Sequence, residues 1–169
     1  MVRRLFICVV ASVFITSVLI MPLPAVGAQE SVAVSGKTAP DFEVQDLSGS
    51  AVALSKFKGK KPVMLYFWAT WCPYCMSVRP AVIKLRDGIS KDDLEFLAIN
   101  VGGGDSLAKL KRFDESHPSP LTVLYDAEGR VARLFNVQGI PHFVLIDKKG
   151  IIRYSNNELP SDPMQILKQ

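Results

Sequence analysis

Cysteine is scarce in this chain, with three in 169 residues. They fall at Cys8, Cys72 and Cys75, and such a set cannot supply the framework of a disulfide-stapled scaffold. Runs of Lys and Arg are absent, as are basic stripes interleaved with aromatics, so nothing argues for nucleic acid. Gly102-Gly103-Gly104 carries neither a GxGxxG nor a GK[ST] pattern, which excludes a phosphate loop. No internal repeat and no cofactor motif appears. What remains is ordinary globular composition, 49% hydrophobic and 21% charged, long enough for one domain whose core needs no staples.

The longest apolar stretch sits at the N-terminus. Arg3 and Arg4 precede an apolar run over 5–21, broken by Ser12, Thr16 and Ser17. Pro22 and Pro24 follow, then Val26-Gly27-Ala28, a small-residue site suited to signal peptidase. This is the order of a secretory signal, predicting cleavage after Ala28 and an extracytoplasmic, periplasmic location. The alternative is an uncleaved membrane anchor, since a 17-residue run is long for a signal and short for a spanning helix. Cys8 sits near the start of the run rather than its end, which argues against a lipid anchor. Without residues 1–28 the formal charge falls from +4 to +2, with 18 basic and 16 acidic residues. The expected organisation is a signal peptide at 1–28, a small polar linker at 29–36 and a domain at 37–169.

The exported part then keeps Cys72 and Cys75 alone. A bridge across two intervening residues closes almost no loop, so it constrains the unfolded chain little. A reactive or metal-binding role fits better. Residues 63–68 form a continuous apolar run of strand length, and Val78, Val82 and Leu85 recur at helical spacing up to Asp87-Gly88. Cys72 thus stands where a strand feeds a helix. Unpaired amides and the positive end of the helix dipole stabilise a thiolate there. Cys72 would attack a disulfide, and Cys75, one turn on and less exposed, would resolve the mixed disulfide.

Around this junction the sequence predicts a hairpin from 41–44 and 51–54 about Ser48-Gly49-Ser50, and a strand over 94–101. Asp105-Ser106 caps a helix to about 115, followed by a strand over 122–125 and a short helix over 131–135. A hairpin of 143–146 and 151–154 closes on Asp147-Lys148-Lys149-Gly150, and a brief helix follows Pro163. The order implies an α/β fold: a mixed central sheet with helices on both faces, its first two major strands parallel, and an N-terminal β-hairpin extension.

The segment Phe67-Trp68-Ala69-Thr70-Trp71-Cys72-Pro73-Tyr74-Cys75 resembles the active site of thioredoxin-like proteins, closest to the extracytoplasmic TlpA and ResA (redoxin) branch. Ala39-Pro40-Asp41-Phe42, the Lys58-Gly59-Lys60 turn, Pro80 and Gly139-Ile140-Pro141 agree in order and spacing. The likeness covers roughly 37–155 and implies a thioredoxin-like fold and thiol–disulfide oxidoreductase activity on protein disulfides or dithiols. It also implies a membrane electron donor, and makes Pro141 the cis-proline beside the dithiol. There the Ile140 backbone would pair with an extended substrate segment, with Trp71, Pro73 and Tyr74 lining the same surface. Two positions depart from the pattern. Tyr66 stands where thioredoxins carry a buried acid, and Val78 where TlpA- and ResA-like proteins carry an active-site Glu. The Pro-Tyr pair between the cysteines is shared with glutaredoxins, so the residues leave reductase and oxidase both open, with reductant as the preferred reading.

Two other functions use parts of the same pattern. A copper chaperone of this fold would use Cys72, Cys75 and His142, as soft thiolates suit copper(I). Dedicated chaperones space their cysteines by three residues, however, and a cis-proline blocks metal access. A peroxide-reducing relative would carry Thr three residues before its reactive Cys and Pro four before that, whereas Thr70 lies two before Cys72 and position 66 is Tyr. Alternation along a strand turns His142 away from the thiols. His117 reads as loop surface, and Tyr66, Phe67 and Trp68 read as core.

Overall fold

The computed structural model describes residues 35–169. The expected export segment, and all but the end of the linker, lie outside the described residues. β1 (Glu43–Gln45) and β2 (Ala51–Ala53) form an antiparallel hairpin, and a 3-10 turn follows at Leu54–Phe57. Then come β3 (Val63–Trp68), α1 (Pro73–Asp87), β4 (Glu95–Asn100), α2 (Leu107–Ser116), β5 (Thr122–Tyr125), α3 (Arg130–Leu134), β6 (His142–Ile146), β7 (Ile152–Asn156) and α4 (Pro163–Ile166). The last five strands make one sheet in the order β5-β4-β3-β6-β7. β3, β4 and β5 run parallel, and β6 and β7 join antiparallel. This is a thioredoxin-like fold with a separate N-terminal hairpin.

The apolar run 63–68 becomes the central strand because it is buried on both faces, at every one of its residues. Its side chains alternate between two cores. Val63, Leu65 and Phe67 pack with Val131, Leu134 and Phe135, under α3 and the hairpin. Met64, Tyr66 and Trp68 pack with Val82 of α1, Leu110 of α2 and both cysteines, while Met164 and Ile166 of α4 close that layer. The dithiol therefore belongs to the α1 side of the sheet.

Local differences from the sequence expectation have local causes. α3 starts one residue early because Gly129, at φ +65°, turns the chain into the helix. β1 starts two residues late because Asp41 instead accepts from the Phe42 and Ser55 amides, pinning the hairpin base. Ser106 alone caps α2, accepting from the Lys109 amide at 3.2 Å. Asp105 points elsewhere, into the active-site junction.

Leu65→Ala should lower stability by about 2–5 kcal/mol, because a fully buried side chain between two packed layers leaves a cavity. The check is a lower urea midpoint at unchanged slope.

Candidate active site

β3 ends at Trp68, and a three-residue turn leads to Cys72, the N-cap of α1. Extended backbone at Cys72 (φ −92°, ψ 106°) lets its Sγ accept the Cys75 amide at 3.1 Å. Pro73 occupies the first helical position, where its missing N–H costs nothing. Cys72 and Cys75 are joined as a disulfide, with their Cα atoms 5.2 Å apart. Cys72 is 4% exposed and Cys75 fully buried. On reduction, the Cys72 sulfur would lie where the helix amides and dipole favour negative charge.

The turn is held from β4 and the loop after it. The Asp105 carboxylate accepts from the Thr70 amide (2.8 Å), the Thr70 hydroxyl (2.5 Å) and Asn100 Nδ2 (2.7 Å), and pairs with Lys109 Nζ at 2.7 Å. Burial opposes ionisation of Asp105, but the donations from Lys109, Thr70 and Asn100 outweigh it and hold the carboxyl below its usual range. Trp71 lies on the Gly102-Gly103-Gly104 loop, its Nε1 donating to the Gly102 carbonyl at 3.4 Å. A Cβ at Gly102 would sit 2.6 Å from the Ala127 carbonyl oxygen, so this loop requires glycine to pass. Half of Trp71 stays exposed, and Tyr74 is 77% exposed, leaving an aromatic rim beside the cysteines.

Tyr66 supports Cys75 from β3, and Arg79 follows one turn further along α1. The Tyr66 hydroxyl donates to the Cys75 carbonyl at 3.0 Å, and its ring stacks on Phe143 with centroids 5.1 Å apart. Burial pushes the phenol pKa up, with Arg79 pulling against it. Tyr66 is thus core, as expected, and a neutral donor as well. Arg79 is buried, donating to the His117 carbonyl (3.0 Å) and Ser119 Oγ (2.9 Å), with its guanidinium over the Phe113 ring. His117 is exposed, as expected for a loop, and stacks on Phe113.

Opposite the turn runs the segment 139–142. The Ile140–Pro141 peptide is cis, and the Ile140 carbonyl oxygen lies 3.6 Å from Cys72 Sγ. Trp71, Pro73, Tyr74, Ile140 and Pro141 are carried by the two segments that converge on Cys72. His142 goes the other way. It contacts the Phe67 ring and bonds through Nε2 to Ser155 Oγ at 3.0 Å, on the Phe67 and Val144 side of the sheet, away from the cysteine-bearing core. It cannot serve as a third ligand with the thiolates, so the copper site expected as an alternative has no support from this residue.

Sequence reasoning located both cysteines and the proline segment but missed Asp105 and Arg79. Their contacts reach across 35 and 38–40 residues, beyond any local pattern. An Asp directly before a helix cap was the available signal for Asp105, and it was read as a second cap.

A thioredoxin-like fold carrying a dithiol at a helix N-terminus defines a thiol–disulfide oxidoreductase. The chain belongs to the AhpC/TSA family, whose profile matches residues 35–155. It is 32% identical over 146 residues to the thiol-disulfide oxidoreductase ResA of Geobacillus kaustophilus, covering 82% of each chain. It is 35% identical over 127 residues to the thiol:disulfide interchange protein DsbE of Vibrio cholerae, covering 74% of this chain and 65% of that one. Among solved structures, the exposed lipoprotein thioredoxin of Streptococcus pneumoniae superposes with a TM-score of 0.66 at 29% identity, over 76% of this chain and 98% of the other.

Burial holds the His142 pKa below its ordinary 6.5, partly opposed by Asn157. The unfolded chain then binds this proton more readily than the folded one, so the stability His142 contributes is full above about pH 6.5 and declines as pH falls through the lowered value. His142→Phe should flatten that part of the stability–pH curve measured by urea denaturation; an unchanged slope would contradict it.

Proposed function

We propose that the protein is an exported oxidoreductase that reduces disulfides of protein partners outside the cytoplasm through Cys72 and Cys75. The observation carrying this reading is the Cys72 sulfur capping α1 while facing the Ile140 carbonyl. The Cys72 thiolate attacks one sulfur of the partner's disulfide. A Cys72–partner bond forms, and the other partner sulfur leaves as a thiolate. Cys75 then loses its proton and attacks Cys72 Sγ, expelling the second partner thiolate and leaving the Cys72–Cys75 disulfide. Two electrons have passed to the partner, and a membrane electron donor returns two to the dithiol. Trp71, Pro73 and Tyr74 on one side, with Ile140 and Pro141 on the other, form the partner-facing surface in this reading.

Export rests on the signal-like order of residues 1–28 and is consistent with a structural neighbour that is an exposed lipoprotein. The folded domain is assigned to 37–169, with 1–28 removed or retained as an anchor. The likeness to ResA supports thiol–disulfide exchange, and the reducing direction is the reading preferred from the sequence.

Cys72→Ser should abolish turnover of a protein disulfide, and Cys75→Ser should accumulate the mixed disulfide as a non-reducing gel band that dithiothreitol removes. Turnover by Cys72→Ser at the normal rate would sink the mechanism. Fractionation of cells expressing the full chain, with N-terminal sequencing, should place it outside the cytoplasm, beginning at Gln29 if cleaved; a cytoplasmic protein would contradict export.

A further inference from the structure

The β6–β7 ladder ends at the pair Phe143 and Asn156, and the β3–β6 pairing ends at His142. The segment 139–141, which brings Ile140 against Cys72, therefore lies beyond both ladders. A side chain takes their place. Asn157, the first residue after β7, donates from Nδ2 to the carbonyl oxygens of Gly139 (2.9 Å) and Pro141 (2.7 Å). These two carbonyls bracket Ile140.

Asn157 is itself held in a turn. The Glu158 amide donates to Asn156 Oδ1 at 3.3 Å, and the Tyr154 hydroxyl donates to the Glu158 carbonyl at 2.7 Å. Two residues back along the strand, Ser155 meets His142 at 3.0 Å, so one edge of the sheet ties the segment at three successive points. The Ile140 side chain packs against both cores and fixes where the residue sits. It does not fix how the peptide planes turn. In a planar trans peptide the C=O and the following N–H point in opposite directions. Drawing the Gly139 carbonyl onto Asn157 therefore turns the Ile140 N–H away from β7.

We propose that Asn157 is a positioning residue for partner binding. It orients the Ile140 backbone so that an extended segment of the partner pairs there, beside Cys72. This inference rests on the proposed function and adds to it the residue that sets the Ile140 backbone for an extended partner segment. The donated bonds of Asn157 go to Gly139 and Pro141 rather than to the reacting sulfurs, so its loss should weaken binding more than the chemical step.

The test compares full-chain wild type, Asn157→Ala and Asn157→Asp, with an extended disulfide-bonded peptide as substrate and KM and kcat measured separately. Asn157→Ala removes both donated bonds, together with its interaction with His142, and should raise KM about five- to tenfold with kcat within about twofold. Asn157→Asp keeps the shape but sets a carboxylate oxygen against two carbonyl oxygens, so its KM should rise further than that of Asn157→Ala. An unchanged KM in both variants, or kcat falling in step with kcat/KM, would overturn the role of Asn157 while leaving the exchange chemistry standing. Failure of wild type to turn over the peptide at all would instead end the exchange reading and this inference with it. Should Asn157→Asp not fold, the KM-against-kcat split in Asn157→Ala decides alone.

Discussion

A single donated bond, from the Cys75 amide to the Cys72 sulfur at 3.1 Å, joins the backbone of this protein to its chemistry. An oxygen N-cap is worth about 1 kcal/mol to a helix, and sulfur is a weaker acceptor, so this bond contributes little to helix stability. Its larger effect is to leave the reactive sulfur at the positive end of α1, where charge on a thiolate is favoured. That arrangement exists only if α1 starts directly beyond the end of β3, and β3 stays in place because it is buried on both faces at the centre of the sheet. The cores on either side thus fix the position of one sulfur atom as well as the fold.

Two groups of long-range contacts meet at that sulfur. Asp105 ties the turn before Cys72 to β4 and to α2 through Thr70, Asn100 and Lys109. The 139–142 segment faces it from the opposite side, anchored by the end of β7. Below, the Tyr66 hydroxyl donates to the Cys75 carbonyl, where the family pattern places an acid at position 66, and one turn further along α1 Arg79 reaches the loop at His117 and Ser119.

Much of this was legible in the residues. The apolar run 63–68 feeding Cys72-Pro73-Tyr74-Cys75 announced a buried strand and a capped helix, and the two hairpins were marked by Gly49 and by Asp147 with Gly150. The alternation rule also placed His142 correctly, on the face away from the cysteines. What stayed hidden was the side chains whose partners lie far along the chain. Nothing in the residues around Arg79 marks it, yet the fold brings Ser119 and His117 back onto it. Asn157 carries no sequence signal, and its role appears only where the strand ladders end. Local periodicity reports which face a residue occupies. It carries no information on which distant carbonyl that face will meet.

The reduction potential of the Cys72–Cys75 couple tests the central claim most directly. A dithiol that serves as a reductant should equilibrate as one two-electron couple near the thioredoxin value of about −270 mV. A potential near the DsbA value of about −120 mV would contradict the reducing role, and no measurable couple would contradict disulfide exchange altogether.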